Sequence, residues 1–221
     1  MNRTADKAAI TVNEIFKSIQ GESSWAGWPC VFVRLTGCGL RCEYCDTTYA
    51  YAEGVNFSIG EILAKARSLG GKLVELTGGE PLLQENCPLL AQALLDDGWT
   101  VLVETSGALP LDLLPPKAIK IMDLKCPGSG MVERNDWENI ARLSQRDEVK
   151  FVIRDRADFD WAKEVVQRDD LAKVCKCVLF ASVHGELAPS QLAEWILTDN
   201  LNVRLQLQLH KYLWPDRQRG V

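Results

Sequence analysis

Three cysteines fall on one short segment, Cys38-Gly-Leu-Arg-Cys42-Glu-Tyr-Cys45, in a C-x3-C-x2-C spacing. Thiolates are the usual ligands of iron–sulfur clusters, and a four-iron cubane ordinarily takes four of them. Three ligands on a tight loop leave one iron without a protein ligand, and an open position is what a catalytic metal site keeps. A closed zinc site is the other chemistry this spacing permits. It needs a fourth ligand, for which Cys30, the Cys175/Cys177 pair and His210 are the candidates. Cys175 and Cys177 lie in a segment read as strand, where one alternation puts both on the same face. Free cysteines of that kind also serve as small packing residues.

Such a loop needs a scaffold, and the chain offers one by alternation. Strand patterns fall at Ala9–Ile15, Val31–Leu35, Leu73–Leu76, Thr100–Glu104, Ala118–Asp123, Val149–Ile153, Val174–Phe180 and Val203–Leu209. Helical spacing occupies Ile59–Leu69, Leu83–Leu95, Asn135–Leu143, Phe159–Val166 and Ser190–Leu197. Ser58 with Glu61 forms a capping-box pattern before the first helix, and Gly98 ends the second. Repeated β–α alternation implies a parallel sheet with right-handed crossovers. The expected fold is therefore α/β: an incomplete TIM-type barrel, its mostly parallel sheet having six or seven strands, with residues 1–221 as one domain. Polar motifs follow three successive strands: Thr77-Gly-Gly-Glu80, Thr105-Ser-Gly107 and Asp123-Leu-Lys125. In barrels of this type the C-terminal strand ends carry the active site.

Composition narrows the setting. The 221 residues are 47% hydrophobic and 25% charged, as in ordinary globular proteins. No apolar run is long enough to span a membrane, and the polar stretch Met1–Ala9 lacks the apolar run of a signal peptide. A net charge of −5 argues against nucleic acid as a partner, although Lys211, Arg217 and Arg219 form a local basic cluster suited to one small anion. Eight cysteines in a chain with no secretory signal point to metal ligation in a reducing compartment, the cytoplasm, rather than to disulfides.

The cysteine spacing after a strand, followed by Thr77-Gly-Gly-Glu-Pro81, resembles the radical S-adenosylmethionine superfamily. That resemblance implies a 4Fe–4S cluster on Cys38, Cys42 and Cys45. Its open iron would be chelated by the amino and carboxylate groups of S-adenosylmethionine, which one electron then cleaves to a hydrogen-abstracting radical. It also implies cofactor contacts at Tyr44, Cys45, Asp46, Gly79, Ser106 and Lys125. Tyr44 would pack on the adenine, Gly78 and Gly79 would allow close backbone approach to the methionine amine, and Glu80 would support that loop.

Further segments are similar to the 7-carboxy-7-deazaguanine synthase family: Glu14-Ile-Phe-Lys-Ser-Ile-Gln-Gly-Glu22, Arg34, Cys45-Asp-Thr47 and Gln208-Leu-His-Lys211. The family resemblance implies a lyase that contracts the ring of 6-carboxytetrahydropterin and expels ammonia, in the biosynthesis of queuosine and other 7-deazapurines. It implies a magnesium ion on the Thr47 hydroxyl, an electron donor such as flavodoxin, and a homodimer. Substrate contacts fall at Ile19, Gln20, Gly21, Arg34 and Thr77, with Arg34 suited to a carboxylate. Arg34 could instead pair with Glu14 or Glu104, and Thr47 could simply cap its loop. A glycyl-radical-enzyme activase shares the cysteine loop and the Gly-Gly-Glu-Pro element, but the Gln20–Glu22 and Gln208–Lys211 segments favour the pterin reading. Some family members end close to the active site; here the chain runs on from Tyr212 to Val221.

Overall fold

The computed structural model describes residues 8–221. Met1–Lys7, most of the polar stretch read for the absence of a signal peptide, lie outside the described residues. Among the described residues, nine strands form one sheet in the order β3-β1-β2-β4-β5-β6-β7-β8-β9. Strands β2 (Pro29–Leu35), β4 (Leu73–Gly78), β5 (Thr100–Thr105), β6 (Ile119–Asp123), β7 (Glu148–Ile153), β8 (Cys177–Ser182) and β9 (Arg204–Gln206) pair in parallel. β1 (Ala9–Ile19) runs antiparallel to β2, and β3 (Val55–Ser58) antiparallel to β1. The sheet does not close, since β3 and β9 remain as its edges. The mostly parallel, incomplete barrel is thus the architecture, with two antiparallel strands added at one side.

Strand alternation explains what each face carries. Val31, Val33, Val74, Leu76, Val101, Val103, Val149 and Phe151 point outward into one large core. They pack there with α1 (Ile59–Leu69), α2 (Cys87–Asp96), α3 (Arg156–Arg168) and α5 (Pro189–Thr198). The intervening residues point inward and change character along the barrel. Cys30, Phe32, Leu73, Leu102 and Ile121 form a smaller apolar cluster, with Phe16, Trp25 and Ile119 packed on it. One step further along each strand the inward residues are Arg34, Glu75, Glu104, Asp123 and Lys150, all lining one cavity. An apolar plug therefore sits beneath a charged layer.

Sequence expectations hold at some elements and not at others. The Ser58–Glu61 capping box forms in full at the start of α1. The second helix begins only at Cys87, after a separate short turn at Pro81–Leu83 opened by proline. The segment 135–143 folds as a 3-10 turn over Trp137–Arg142. Here the Asn139 side chain bonds the backbones of Gly107, Leu109 and Leu111, holding the segment against that loop. The last expected strand is cut to Arg204–Gln206 and gives way to α6 (Leu209–Leu213). Cys175 and Cys177 do not share a strand face. Cys175 is buried at the end of a short helix, α4 (Leu171–Val174), its thiol directed at the Leu171 carbonyl, and only Cys177 belongs to β8.

Candidate active site

At the C-terminal ends of the parallel strands, the cysteine loop after β2 packs against the glycine loop after β4. Gly79 N–H donates to Leu35 O (3.2 Å) and Glu80 N–H to Gly37 O (2.8 Å). A Cβ on Gly79 would sit 2.2 Å from the Gly37 oxygen and 2.8 Å from Cys38 Cβ. A Cβ on Gly78, which has φ +146°, would meet Leu35 O at 2.1 Å. The glycines are thus required first by the contact between the two loops. Glu80, buried, ties this junction to β5: its carboxylate accepts from Thr105 Oγ1 (2.8 Å), Ser106 N (2.7 Å), Ser106 Oγ (2.6 Å) and Leu82 N (3.0 Å).

Cys38, Cys42 and Cys45 all face the cavity, and none of the other five cysteines lines it. Leu40 N–H points at Cys38 Sγ (3.4 Å). Arg41 folds back on its own loop, donating to Cys38 O (2.8 Å) and Leu40 O (2.6 Å). Burial pushes the Cys38 and Cys42 thiols up, and the charges of their neighbours Cys45 and, for Cys42, Cys38 add to that, while Lys125 works in the opposite sense. Three thiolates around one cavity need a strongly cationic centre, and a cluster is one. Among the described residues no three His, Cys, Asp or Glu side chains converge as a single-ion site. Cys30, Cys175 and Cys177, the candidate fourth ligands of a zinc site, lie away from the cavity; only His210 reaches it.

The residues expected to contact cofactor, magnesium or substrate all line this cavity: Tyr44, Asp46, Thr47, Gly79, Ser106 and Lys125 near the cysteines, and Ile19, Gln20, Gly21, Arg34 and Thr77 toward the interior. Tyr44 is anchored by its hydroxyl to Val152 O (3.1 Å). Lys125 pairs with Asp123 at 3.1 Å. Burial disfavours its charge, but Asp123 and the Cys42 thiolate more than offset this and raise its pKa. Arg34 donates through Nε to Glu14 (2.8 Å), so the expected Glu14 pairing forms while the guanidinium still faces the cavity. Thr47 makes no side-chain cap to backbone; its hydroxyl donates to Asp46 Oδ1 (3.0 Å). Lys211 pairs with Asp46 at 2.6 Å and Arg219 with Glu53 at 2.7 Å, so two members of the basic C-terminal cluster already have acidic partners.

Sequence reasoning passed over two members of the charged layer, Lys150 and Glu75. Lys150, almost fully buried, reaches Glu22 (2.9 Å), Glu104 and Asp123 (3.5 Å). Glu75 accepts from Gln20 Nε2. Burial, then the charges of Glu104 and Glu22, push its carboxyl well above the usual carboxylate range. The available signal was one charged residue inside otherwise apolar strands: Glu75 in Leu-Val-Glu-Leu, Lys150 in Val-Lys-Phe-Val. A parallel strand covered on both faces normally has none.

A model of the radical SAM superfamily matches residues 32–128, the span from the cysteine strand past Asp123 and Lys125. Among curated proteins, the 7-carboxy-7-deazaguanine synthase of Chlorobaculum tepidum is 47% identical over 97% of this chain and 99% of its own length. That of Koribacter versatilis is 44% identical over 96% and 100%. The chain belongs to the 7-carboxy-7-deazaguanine synthase family. As a family member it carries the superfamily's 4Fe–4S cluster and S-adenosylmethionine, and the three cavity-facing thiols beside the glycine loop fit that pair. The fold is also that of the crystal structure of QueE from Escherichia coli, with a TM-score of 0.73 and 21% identity, covering 90% of this chain and 94% of that one. TYW1 with a lysine-pyruvate adduct bound shares it more distantly, with a TM-score of 0.56 over 79% and 74%.

Proposed function

We propose that this family member converts 6-carboxytetrahydropterin to 7-carboxy-7-deazaguanine, with ring contraction and loss of ammonia. The observation that carries the reading is the single cavity itself, in which Gln20, Arg34 and Thr77 share a space with Cys38, Cys42 and Cys45. When bound, the cluster and S-adenosylmethionine supply the radical that opens the reaction. The chain's own residues hold the substrate. Arg34, oriented by Glu14, offers a planar cation to the substrate carboxylate. The Gln20 amide is fixed at both ends, accepting from Glu22 N–H (2.8 Å) and donating to Glu75, so one N–H remains for a ring acceptor. Thr77 reaches in from the end of β4, its hydroxyl 3.4 Å from Glu104.

The Thr47 hydroxyl and the adjacent Asp46 carboxylate form an all-oxygen pair suited to magnesium, a hard ion that keeps several waters. Eight unpaired cysteines support a reducing compartment, the cytoplasm, and with it an electron donor such as flavodoxin. Assembly as a homodimer is part of the same proposal. No helix among the described residues is long and apolar enough to cross a membrane. Anaerobically reconstituted protein, incubated with 6-carboxytetrahydropterin, reductant and magnesium, should release a product of the mass of 7-carboxy-7-deazaguanine together with ammonia. Thr47→Val should retain iron and cofactor binding but lose most of the rate gained from magnesium. Cofactor cleavage without that product would overturn the reaction; a magnesium response equal to the parent's would overturn the Thr47 assignment.

A further inference from the structure

The β1–β2 connection is longer than a hairpin needs, and it does not simply turn. From Gln20 to Ser24 it lies along the open side of the barrel. Ser24 N–H donates to Glu148 (2.9 Å) at the start of β7, Ser23 N–H to Gln206 Oε1 (2.6 Å) at the end of β9, and Gly21 O accepts from Leu209 N–H (2.9 Å) in α6. Glu22 is the centre of this seam. Its Oε2 accepts from Lys150 Nζ (2.9 Å) and Gln206 Nε2 (2.9 Å), and its Oε1 from Gln208 Nε2 (3.0 Å). One carboxylate therefore joins the connection to β7, to β9 and to the residue that opens α6. The Gln206 amide is oriented for this, since it turns its oxygen to Ser23 N–H and its nitrogen to Glu22.

The seam sets the position of two cavity walls. One wall is Gln20–Gly21, which precedes Glu22 directly. The other is His210, packed so tightly that a Cβ on Gly21 would fall 2.3 Å from its Nδ1. A carboxylate accepting from an ammonium and two amides in a buried setting holds its donors far more firmly than a neutral group. We propose that Glu22 is a positioning residue: it draws β9 and α6 onto the β1–β2 connection, so that Gln20 and His210 face each other across the substrate space of the incomplete barrel. The inference rests on the pterin reading for the identity of the substrate, but the clamp itself does not.

Glu22→Gln keeps the shape, removes the charge and sets an NH2 group among donors. With the holoenzyme, hydrogen exchange read by mass spectrometry should quicken at least about tenfold for the amides of Ser23 and Leu209. The strand amides of β4 and β5 should stay as protected as in the parent. KM for 6-carboxytetrahydropterin should rise about tenfold while kcat changes much less, and cofactor affinity should hold. Exchange at Ser23 and Leu209 unchanged from the parent, or quickened equally across the whole sheet, would overturn the proposal, as would an unaltered KM. Should Glu22→Gln fail to fold, Gln208→Met removes one donor only and must give the same local pattern at smaller amplitude; its absence would overturn the clamp. A protein whose Leu209 amide depends on Glu22 but which does not turn over the pterin would sink the proposed reaction and leave the clamp standing.

Discussion

The rim of the barrel and the layer beneath it are built on opposite rules. At the rim the close contacts are mainly between backbones. Gly37, Gly78 and Gly79 let two loops touch, and the reactive side chains Cys38, Cys42 and Cys45 are left facing the cavity. In the layer below, side chains take up the charges of one another: Lys150 with Glu22, Glu104 and Asp123, and Gln20 with Glu75. The rim can accept large foreign groups because its own polar atoms make few demands on the cavity. The inner layer is closely matched, and one buried Asp123 oxygen, Oδ1, is its polar atom without a partner among the described residues. The difference implies that damage at the rim acts first on chemistry and that loss of the layer's central cation acts first on stability.

The largest effect should come from the layer. Lys150→Met deletes the cation that faces three carboxylates in a site where the lysine is 6% exposed. Breaking a buried pair by removing one partner typically costs about 3–5 kcal/mol, because the opposite charges remain behind. Urea denaturation of the metal-free protein should show a loss of that size. A change below about 1 kcal/mol would mean that water already solvates the layer, and the comparison would fail.

At the rim, Gly79→Ala should have a smaller effect on the fold and a larger one on the metal. The added methyl group meets backbone, the Gly37 carbonyl, rather than a flexible side chain. Overpacking of this kind costs about 1–3 kcal/mol. Because the strained neighbour is the first turn of the cysteine loop, iron content after reconstitution should fall together with S-adenosylmethionine affinity. A variant with full iron and weakened cofactor binding alone would show that the glycine serves the methionine moiety and that the loops can part.

The same contrast explains what was legible in the sequence. The Cys38–Cys45 loop, the Thr77–Glu80 motif and the Ser58–Glu61 box are local, so spacing alone exposes them, and the alternation of apolar runs gave the parallel, unclosed sheet. The charged layer is assembled from one residue on each of several strands, and only the folded sheet brings Glu75, Glu104, Asp123 and Lys150 to one cavity. Strand β3 escaped notice because its four residues gain their partner only from β1. The helix expected at 135–143 has suitable periodicity, but Asn139 bonds three backbone groups some thirty residues earlier in the chain, a demand no local pattern displays. His210 was legible as a residue and not as a wall, since its position depends on Gly21 lacking a side chain.

The smallest expected effect has the opposite sign, and it tests whether the layer is balanced with one proton to spare. Glu75 is buried among Glu22 and Glu104, and its carboxyl is raised well above the ordinary 4.5 by burial first and by those two charges next. A group that holds its proton more tightly when folded contributes fully below pH 4.5, and that contribution is lost as pH rises from 4.5 through the raised folded value. Glu22 titrates in the reverse sense: although burial opposes it, Lys150 and the Gln208 bond hold its carboxyl below 4.5, so its contribution is lost only as pH falls under that value. Glu75→Gln keeps an oxygen to accept from Gln20 and removes the ionisation, leaving Glu22 in place. The variant should therefore match the parent near pH 4.5 and become progressively more stable than it as pH rises, with thermal melting of the metal-free protein at a series of pH values as the measurement. A parent–variant difference that stays constant from pH 4.5 upward would show that Glu75 ionises as freely in the folded chain as in water, and the layer would then carry one more negative charge than its partners can balance.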